Sequence, residues 1–265
     1  MKIGFIGFGN MAKAIAHGLI EKNVVSKSDL FFSTRSEESK TQVEKTWHIK
    51  GLVSNQAVID ESDVIILAVK PYQVEEVLTP LTFSKDKLVL SVMAGVTNHQ
   101  LSQYIDAKQV IRTMPNLNAQ VLESMTAVIE NSAVSEKKMT LATDLFSAIG
   151  DVVVIPEEQL SVFIALAGSS PALVFLFIDT LARTAVKYGM SKEQATNIAA
   201  QAVLGSGKTV LQSNDSPWNL IDQVSSPGGI TVEAVLSLVK SDFSGALIEA
   251  VDSMIKKDQD MSRDN

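Results

Sequence analysis

The chain has 265 residues, of which 46% are hydrophobic and 20% are charged, and its formal net charge is −7. This composition is that of a globular protein long enough for two domains, and the acidic balance argues against nucleic-acid binding, which needs a basic surface. The absence of cysteine excludes disulfides, thiolate nucleophiles and zinc–thiolate sites, and the three isolated histidines, His17, His48 and His99, predict no metal site.

Up to residue 155 the chain alternates short apolar runs with helical patterns. The apolar runs are KIGFIG, DLFFST, DVIILAV, KLVLSV, QVIRTM, SMTAVIE and DVVVI. The helices predicted between them are 10–21, 36–46, 73–81, 97–104 and 135–149. Unbroken apolar strands that alternate with helices are typical of a parallel sheet covered on both faces. Residues 1–155 are therefore predicted to form a doubly wound α/β domain.

After Pro156 the chain is predicted to be helical, because apolar residues recur there at three- and four-residue spacing. Residues 156–265 are therefore predicted to form an all-α domain. Gly189 indicates a helix end, and Ser191 the start of the next helix. Residues 202–209 resemble a phosphate-binding P-loop, but that loop belongs between a strand and a helix, so helix is the better interpretation of this run.

One apolar segment of this half could be mistaken for a membrane span. Residues 159–178 carry no charge, and a segment of this length could cross a bilayer. The sequence GSSP at 168–171 interrupts the run, and Asp179 and Arg183 follow in the same helical pattern. We therefore predict a helix covered by protein and no membrane span. The apolar N-terminal stretch is short and broken by glycine, unlike a signal peptide, so we expect a cytoplasmic location.

The segment Gly7-Phe8-Gly9-Asn10-Met11-Ala12 follows the first predicted strand and opens the first predicted helix, as G-x-G-x-x-G/A does in dinucleotide-binding domains. The first glycine permits the tight turn, the second lets a pyrophosphate approach the backbone, and Ala12 lets helix and strand pack closely. Free amide groups at the helix N-terminus favour the negative charge of the phosphates. This context predicts a Rossmann-type dinucleotide site; the alternative is a structural glycine-rich turn.

The end of the second predicted strand indicates which dinucleotide binds. An NAD site usually carries an acidic residue there, whereas a phosphorylated ribose is bound by hydroxyls and a cation. The chain has Ser33-Thr34-Arg35-Ser36 and no acidic residue before Glu37, which favours NADPH. The alternative is an exposed polar turn with a solvated Arg35.

Three later strand ends are candidate walls for a nicotinamide, since ligands of open α/β sheets bind beyond the carboxyl ends of the strands. They are Ala68-Val69-Lys70-Pro71, Met93-Ala94-Gly95 and Met114-Pro115-Asn116. For each of them, ordinary turn chemistry is the alternative.

Small residues cluster again in the helical half, at Ser225-Ser226-Pro227-Gly228-Gly229-Ile230-Thr231. Proline and two glycines shape a loop, and Thr231 has the position of a helix cap before an apolar helical pattern. A helix N-terminus behind such a loop can hold a carboxylate through backbone amides, while the hydroxyls of Ser226 and Thr231 address a nearby polar atom. The alternative is a plain loop with a capping threonine.

The ordered segments GFIGFGNMAKAI, LAVKP, AGVT, RTMPN, LAGSSPA and VSSPGGITVEAV resemble those of the pyrroline-5-carboxylate reductase family over essentially the whole chain. The resemblance implies an NAD(P)-binding Rossmann-like domain at 1–155 and an all-helical substrate and dimerisation domain at 156–265, hence a homodimer or a higher homo-oligomer. It also implies hydride transfer from NADPH, with NADH possible, to the C=N bond of 1-pyrroline-5-carboxylate. The product is L-proline, in the last step of proline synthesis.

Together, the motifs and the resemblance assign the site residues. The residues assigned to cofactor binding are Ile6, Gly7, Phe8, Gly9, Asn10, Met11, Ser33, Thr34, Arg35, Ser36, Asn55, Ala68, Val69, Lys70, Pro71, Met93, Ala94, Gly95 and Asn116. Those assigned to substrate binding are Ser225, Ser226, Pro227, Gly228, Gly229, Ile230 and Thr231, with catalytic roles for Thr231 and Ser226. A protonated cyclic imine is already electrophilic, so orienting it against the nicotinamide supplies most of the catalysis.

Three positions depart from the usual pattern of the family, namely Leu117, Ser170 and Ser216. They leave open a reductase of a related cyclic imine. A β-hydroxyacid dehydrogenase is a more distant alternative, because it would need a lysine soon after Gly168 and the chain has none before Lys187. A non-catalytic dinucleotide sensor is another, and the loop at 225–231 argues against it.

Overall fold

The structure is a computed structural model, and it describes residues 1–263. The chain forms two compact units. The first, called here the sheet unit, comprises Met1–Gly168 and the last residues from Asp258 onward; the second, the helical unit, comprises Ser169–Lys257.

The sheet unit contains an eight-stranded sheet. Its strands are β1 (Ile3–Ile6), β2 (Leu30–Ser33), β3 (Lys50–Gly51), β4 (Val64–Leu67), β5 (Leu88–Ser91), β6 (Val110–Met114), β7 (Ser124–Ile129) and β8 (Gly150–Ile155). Their order across the sheet is β3-β2-β1-β4-β5-β6-β7-β8. The seven predicted strands are confirmed, and the sequence pattern missed only β3, which has two residues and pairs with β2.

Six helices lie between these strands in the described part of the chain, and a seventh follows β8. They are α1 (Asn10–Glu21), α2 (Glu37–Trp47), α3 (Asn55–Glu61), α4 (Val74–Leu78), α5 (Asn98–Leu101), α6 (Glu136–Phe146) and α7 (Leu160–Phe163). Helix α1 has the predicted bounds, whereas α4 and α5 are shorter than predicted. Helix α3 was not predicted; it is short, and the hydroxyl of Ser54 caps it by accepting from the amide of Ala57 at 3.1 Å.

Neighbouring strands are parallel except for β6 and β7, which are antiparallel. The prediction of a wholly parallel sheet is therefore wrong at this pair. The physical reason is the short connection, whose only regular structure is a 3-10 turn at Leu117–Val121. A parallel pair needs a crossover of a dozen or more residues, usually with a helix.

The central strands β1 and β4 are buried on both faces. Side chains such as Phe5, Phe32 and Phe146 are at most 1% exposed, and each stabilises the fold by about 1.5–3 kcal/mol relative to exposure. From β1 the chain runs outward to β3 and then returns to β4 on the other side of β1. The carboxyl ends of β1 and β4 therefore mark the switch point at which doubly wound sheets bind ligands.

The sheet unit also holds a buried ion pair. Arg112 of β6 is 7% exposed and donates to the carboxylate of Glu157, whose second oxygen accepts from Asn98 Nδ2 at 3.2 Å. Burial lowers the pKa of Arg112, and the nearby Glu157 carboxylate opposes that shift. The pair attaches the segment after β8 to the interior of the sheet.

The helical unit confirms the predicted all-α second half. Its helices are α8 (Ser170–Lys187), α9 (Lys192–Gln212), α10 (Pro217–Val224), α11 (Ile230–Lys240) and α12 (Phe243–Arg263), of which α12 continues past Lys257 into the residues grouped with the sheet unit, and a π-helical turn at Ile164–Ser169 precedes α8. Gly189 has φ +95°, and the Ser191 hydroxyl caps α9 by accepting from the amide of Gln194 at 3.3 Å. The run that resembles a P-loop lies inside α9.

The helical unit buries few side chains of its own. Among its described residues only small ones are buried, namely Pro171, Ala182, Ala195 and Ala199. Large apolar side chains remain exposed, among them Phe175 at 53%, Leu176 at 64% and Leu211 at 76%. Glu157–Lys187 is long and apolar enough to cross a membrane, and 17% of its most apolar stretch is buried within the chain. An exposed apolar surface of this extent marks an interaction face.

Candidate active site

The loop from Gly7 to Met11, called here the glycine loop, joins β1 to α1 at the switch point. Gly7 has φ +85°, and a Cβ there would lie 2.8 Å from the carbonyl oxygen of Ala68, so only glycine fits without strain. The amide of Gly7 donates to the carbonyl of Ser33 at 3.2 Å, and that of Ala68 donates to Ile6 at 2.9 Å. These contacts hold the loop between the ends of β2 and β4.

Gly9 is the N-cap of α1 and faces open space. No heavy atom would lie within 4 Å of a Cβ at this position, and no side chain caps the helix. The first amide groups of a helix have no partner within it, and α1 carries no acidic residue in its first turn. Ala12 is fully buried and lets α1 pack closely against the sheet. The helix start is therefore suited to a phosphate anion.

A cleft extends from the glycine loop in two directions. The large recess, about 710 Å³, reaches the end of β2, and Gly7, Gly9, Ser33, Arg35, Asn55 and Lys70 are among its lining residues. The small recess, about 390 Å³, runs from Asn10 and Met11 past Ala68–Pro71 to Met93 and Ala94 at the end of β5. The two recesses share Gly9 and residues 68–70, so together they form one elongated groove.

The end of β2 presents hydroxyl groups and no carboxylate to the large recess. Ser33 is 2% exposed, and its hydroxyl donates to Asn55 Oδ1 at 2.7 Å, which brings the start of α3 to the cleft. Thr34 donates to the carbonyl of Ser36 at 3.1 Å, and the Ser36 hydroxyl caps α2 by accepting from Ser39 at 3.2 Å. The polar atoms at this strand end are thus fixed by the local fold.

Arg35 is exposed, lines the large recess, and makes no hydrogen bond or ion pair with the residues that the structure describes. The acidic residue nearest to it in sequence, Glu37, pairs with Lys40 at 3.1 Å and does not line this recess, whereas Glu76 of α4 does. A cation available for a ligand next to two hydroxyls suits a phosphorylated ribose.

Not every predicted cofactor residue lines the groove. Met93 is 4% exposed yet contributes to the small recess, whereas Gly95, with φ +74°, does not. Asn116 does not line it either; its side chain is buried and hydrogen-bonded within the protein.

Fourteen residues that line the groove are absent from the predicted cofactor set, namely Lys13, Ala14, Ser39, Gln42, Val43, Ser54, Gln73, Glu76, Val77, Pro80, Val92, Leu117, Ala119 and Gln120. Lys13 stands one helical turn after Gly9 and donates its amide to that residue at 2.9 Å, so helical spacing was the signal that could have found it. Leu117, Ala119 and Gln120 belong to the 3-10 turn after β6; the sequence marked Leu117 only as a departure from the family pattern, and no pattern marked the other two.

The second predicted site, Ser225–Thr231, is called here the Pro-Gly-Gly loop and lies between α10 and α11 of the helical unit. The interpretation of Thr231 as the helix cap is wrong, because α11 begins at Ile230 and Gly229 is its N-cap. The amide of Gly229 donates to the carbonyl of Ser226 at 2.9 Å, and a Cβ on Gly229 would lie 2.5 Å from the Ser226 hydroxyl. This close approach selects glycine at the cap and moves Thr231 into the first turn.

The Pro-Gly-Gly loop offers several donors to a ligand. The hydroxyls of Ser226 and Thr231 make no hydrogen bond with described residues, and Ser225 Oγ is buried without a partner. No side chain caps α11, so the amides of its first turn also lack partners within the helix. Amides beside hydroxyls can bind a small carboxylate and leave a hydroxyl for a second polar atom.

Both halves of the chain match known protein families. Residues 157–261 match the family described as pyrroline-5-carboxylate reductase dimerisation, and residues 2–95 match the one described as NADP oxidoreductase, coenzyme F420-dependent. The chain is 40% identical to the pyrroline-5-carboxylate reductase of Escherichia coli (strain K12) over 265 residues, which is 99% of this chain and 98% of that relative.

Solved structures agree with these matches. The 1-pyrroline-5-carboxylate reductase of Streptococcus pyogenes is 36% identical, with a TM-score of 0.87 and coverage of 98% of each chain. The Plasmodium falciparum pyrroline carboxylate reductase, solved with NADP bound, is 30% identical, with a TM-score of 0.86 and coverage of 99% of this chain and 98% of that one.

Proposed function

The chain belongs to the pyrroline-5-carboxylate reductase family, and from this premise we propose how its two sites divide the reaction. The protein is an oxidoreductase of proline biosynthesis that reduces the C=N bond of 1-pyrroline-5-carboxylate. One observation supports assigning the cofactor and the substrate to different sites. The same chain has a glycine loop at the switch point of the sheet and a Pro-Gly-Gly loop with unpartnered hydroxyls. Family membership makes two of the alternatives, a β-hydroxyacid dehydrogenase and a non-catalytic dinucleotide sensor, poorer interpretations.

We assign the dinucleotide to the groove of the sheet unit, where the reduced nicotinamide would supply the hydride. The amides of the glycine loop would hold the pyrophosphate, and the large recess would hold the adenosine, since the ribose lies at the end of β2 in such folds. The small recess is then left for the nicotinamide. Ser33, Thr34 and Arg35 favour NADPH, because a 2′-phosphate gains a cation at this strand end, which carries no carboxylate of its own.

We assign the substrate to the Pro-Gly-Gly loop. The amides of Gly228, Gly229 and Ile230 would hold its carboxylate, and the Thr231 hydroxyl would hydrogen-bond the ring nitrogen. The Ser226 hydroxyl would be the second polar group beside the ring. These residues bind and orient an imine whose protonated form already accepts hydride readily, so orientation supplies most of the rate.

The role of Thr231 is tested with Thr231→Ala and the matched variant Thr231→Ser. We expect kcat/KM for 1-pyrroline-5-carboxylate to fall about 10- to 100-fold in Thr231→Ala, the effect of one lost hydrogen bond, while the Kd of NADPH stays within twofold. Thr231→Ser keeps the hydroxyl and should retain most of the activity. Equal losses in turnover and in NADPH binding would remove Thr231 from the substrate site.

The preference for NADPH is tested with Arg35→Gln. The loss of a cation that binds phosphate should raise the KM for NADPH about 10- to 100-fold and leave the KM for NADH nearly unchanged. Lys45→Gln is the matched control, because Lys45 is an exposed cation of α2 that does not line the cleft. If Arg35→Gln changes both KM values equally, Arg35 does not distinguish the cofactors.

We propose further that residues 156–265 act as the dimerisation domain, in a homodimer or a higher oligomer. The exposed apolar side chains of α8 to α12 and the family match at 157–261 support self-association. In this proposal a second copy covers the apolar segment Glu157–Lys187, which keeps the enzyme in the cytoplasm without a membrane.

A further inference from the structure

Asn116, just after β6, makes four hydrogen bonds although it is only 6% exposed; its main-chain carbonyl accepts one of them from the amide of Ala119 at 3.1 Å. Its Nδ2 donates to the carbonyl of Ala167 at 2.8 Å, and its Oδ1 accepts from the amide of Asn118 at 3.1 Å. Its own amide donates to the Ser124 hydroxyl, also at 3.1 Å. A buried side chain with this many bonds has one fixed orientation.

The partner carbonyl, Ala167, belongs to the π-helical turn Ile164–Ser169. A π-helical turn displaces the main-chain hydrogen-bond ladder by one residue, which makes carbonyl groups available to donors outside the helix. The Asn116 side-chain amide is such a donor. It connects two segments of the sheet unit that are 51 positions apart in sequence.

The other bond of the Asn116 side chain shapes the groove. Its Oδ1 caps the 3-10 turn Leu117–Val121 by accepting from Asn118. Leu117, Ala119 and Gln120 of this turn line the small recess, whereas Asn116 does not. The wall of the small recess therefore depends on a residue that does not touch its contents.

We propose that Asn116 is a positioning residue, which fixes the nicotinamide wall of the groove by tying the Leu117–Val121 turn to the π-helical turn through Ala167. The inference rests on the proposed function in one respect, the assignment of the nicotinamide to the small recess. Adenosine binding depends on the large recess and on Arg35, which have no bond to Asn116. Loss of the tie should thus affect one end of the cofactor only.

Two substitutions remove the side-chain bond to Ala167 and keep an acceptor for the amide of Asn118. Asn116→Asp keeps an oxygen that accepts from Asn118 but has no donor for Ala167, and it places a negative charge against that carbonyl. Asn116→Ser keeps a short acceptor for the turn, as serine does at a helix cap, and cannot reach Ala167 in the same way. Asn118→Ala is the matched control, because Asn118 takes part through its main-chain amide and carbonyl, and both are retained.

The test compares the Kd of NADPH with that of 2′-phospho-ADP-ribose, which lacks the nicotinamide, in the full-length enzyme. Asn116→Asp and Asn116→Ser should reduce the affinity advantage of NADPH about fivefold or more and lower kcat about tenfold or more, with the fragment's Kd unchanged. The control Asn118→Ala should stay within twofold of the wild type in all three quantities.

Equal weakening of NADPH and the fragment in Asn116→Ser would make Asn116 a residue of general stability and overturn the proposal. An unchanged affinity ratio with unchanged kcat in both variants would also overturn it. A wild-type protein that binds NADPH without reducing 1-pyrroline-5-carboxylate contradicts the proposed reaction instead, and the binding ratio alone decides the role of Asn116.

Discussion

The two units of the chain differ in how many of their large apolar side chains they bury. The sheet unit encloses whole strands, with Phe5 and Ile66 at 0% exposure, whereas the helical unit buries only small residues and leaves Phe175 and Leu176 more than half exposed. The sheet unit can therefore stabilise itself. In the dimer that we propose, the helical unit would gain most of its hydrophobic stabilisation when the second copy covers it, and its folding would be coupled to association.

The charged groups follow the same division. In the sheet unit, the buried Arg112 pairs with the partly exposed Glu157, and a partner is required to compensate for the desolvation of the guanidinium. In the helical unit, Asp179 of α8 is 39% exposed and pairs with Arg183 and Lys192, where water screens each interaction. An ion pair is thus structural in one unit and peripheral in the other.

The largest effect is expected from Leu176→Asp in α8. A charge in the exposed apolar face should abolish self-association and reduce specific activity about 100-fold or more, because burying an unpaired carboxylate costs several kcal/mol. Size-exclusion chromatography with light scattering, combined with NADPH oxidation, provides the measurement. Val24→Asp, at an apolar position of the sheet unit that is 40% exposed, is the control and should keep the oligomer. An intact oligomer in Leu176→Asp would contradict the view that the helical unit, unlike the sheet unit, depends on a second copy to cover its apolar face.

Two glycines with positive φ offer a matched test of loop construction. Gly7→Ala combines φ +85° with a contact of 2.8 Å to the Ala68 carbonyl and should cost about 2–4 kcal/mol. Gly228→Ala has φ +69° and open space around the Cβ, so strain alone should cost about 1 kcal/mol. Urea unfolding monitored by circular dichroism measures both free energies. A larger loss of unfolding free energy in Gly228→Ala than in Gly7→Ala would show that the Pro-Gly-Gly loop is more closely packed than its structure indicates.

Glu157→Gln tests the buried ion pair of the sheet unit. Removal of the carboxylate leaves the Arg112 guanidinium buried without its partner, and the free energy of unfolding should fall by about 1–3 kcal/mol, discounted because Glu157 is 42% exposed. Glu158→Gln changes a neighbouring exposed carboxylate and should alter stability by less than about 0.5 kcal/mol. Similar values for the two variants would place the Arg112 pair among ordinary surface contacts.

The smallest effect is expected from Asp179→Asn. Hydrogen bonds from Lys192 and then Arg183 lower the pKa of Asp179 below its unfolded value of about 3.9. The carboxylate therefore contributes stability above that pH, and the contribution is lost as the pH falls through the folded pKa. The urea midpoints of the variant and the wild type should differ slightly at pH 7, and the difference should shrink as the pH falls below the unfolded pKa of about 3.9. A difference that does not shrink on acidification would have another origin.

The sequence predicted the regular parts of the sheet unit well, because buried strands and amphipathic helices leave periodic patterns. The bounds of α1 and the seven longer strands follow from such patterns. The antiparallel β6–β7 pair left no such pattern, since strand direction depends on how the chain crosses the sheet. Helix α3 was missed because seven residues behind a serine cap are too few to show a period.

The candidate site was predictable where residues lie next to one another in sequence. The glycine loop, the hydroxyls after β2 and the Pro-Gly-Gly loop could be read in this way, whereas the wall formed by Leu117 and Gln120 depends on a bond across 51 positions. The cap of α11 was misread because a contact between Gly229 and Ser226, rather than the capping propensity of Thr231, decides where the helix begins.

The position of the groove in the chain has a consequence for biosynthesis. Every residue that lines its two recesses precedes residue 121, and the strands of the sheet end at Ile155. Domains fold as they leave the ribosome, the N-terminal one first. The nascent chain thus completes the groove that we assign to the dinucleotide while the apolar helices are still being translated, and in the proposed function a bound dinucleotide would stabilise that folded portion before a second copy associates.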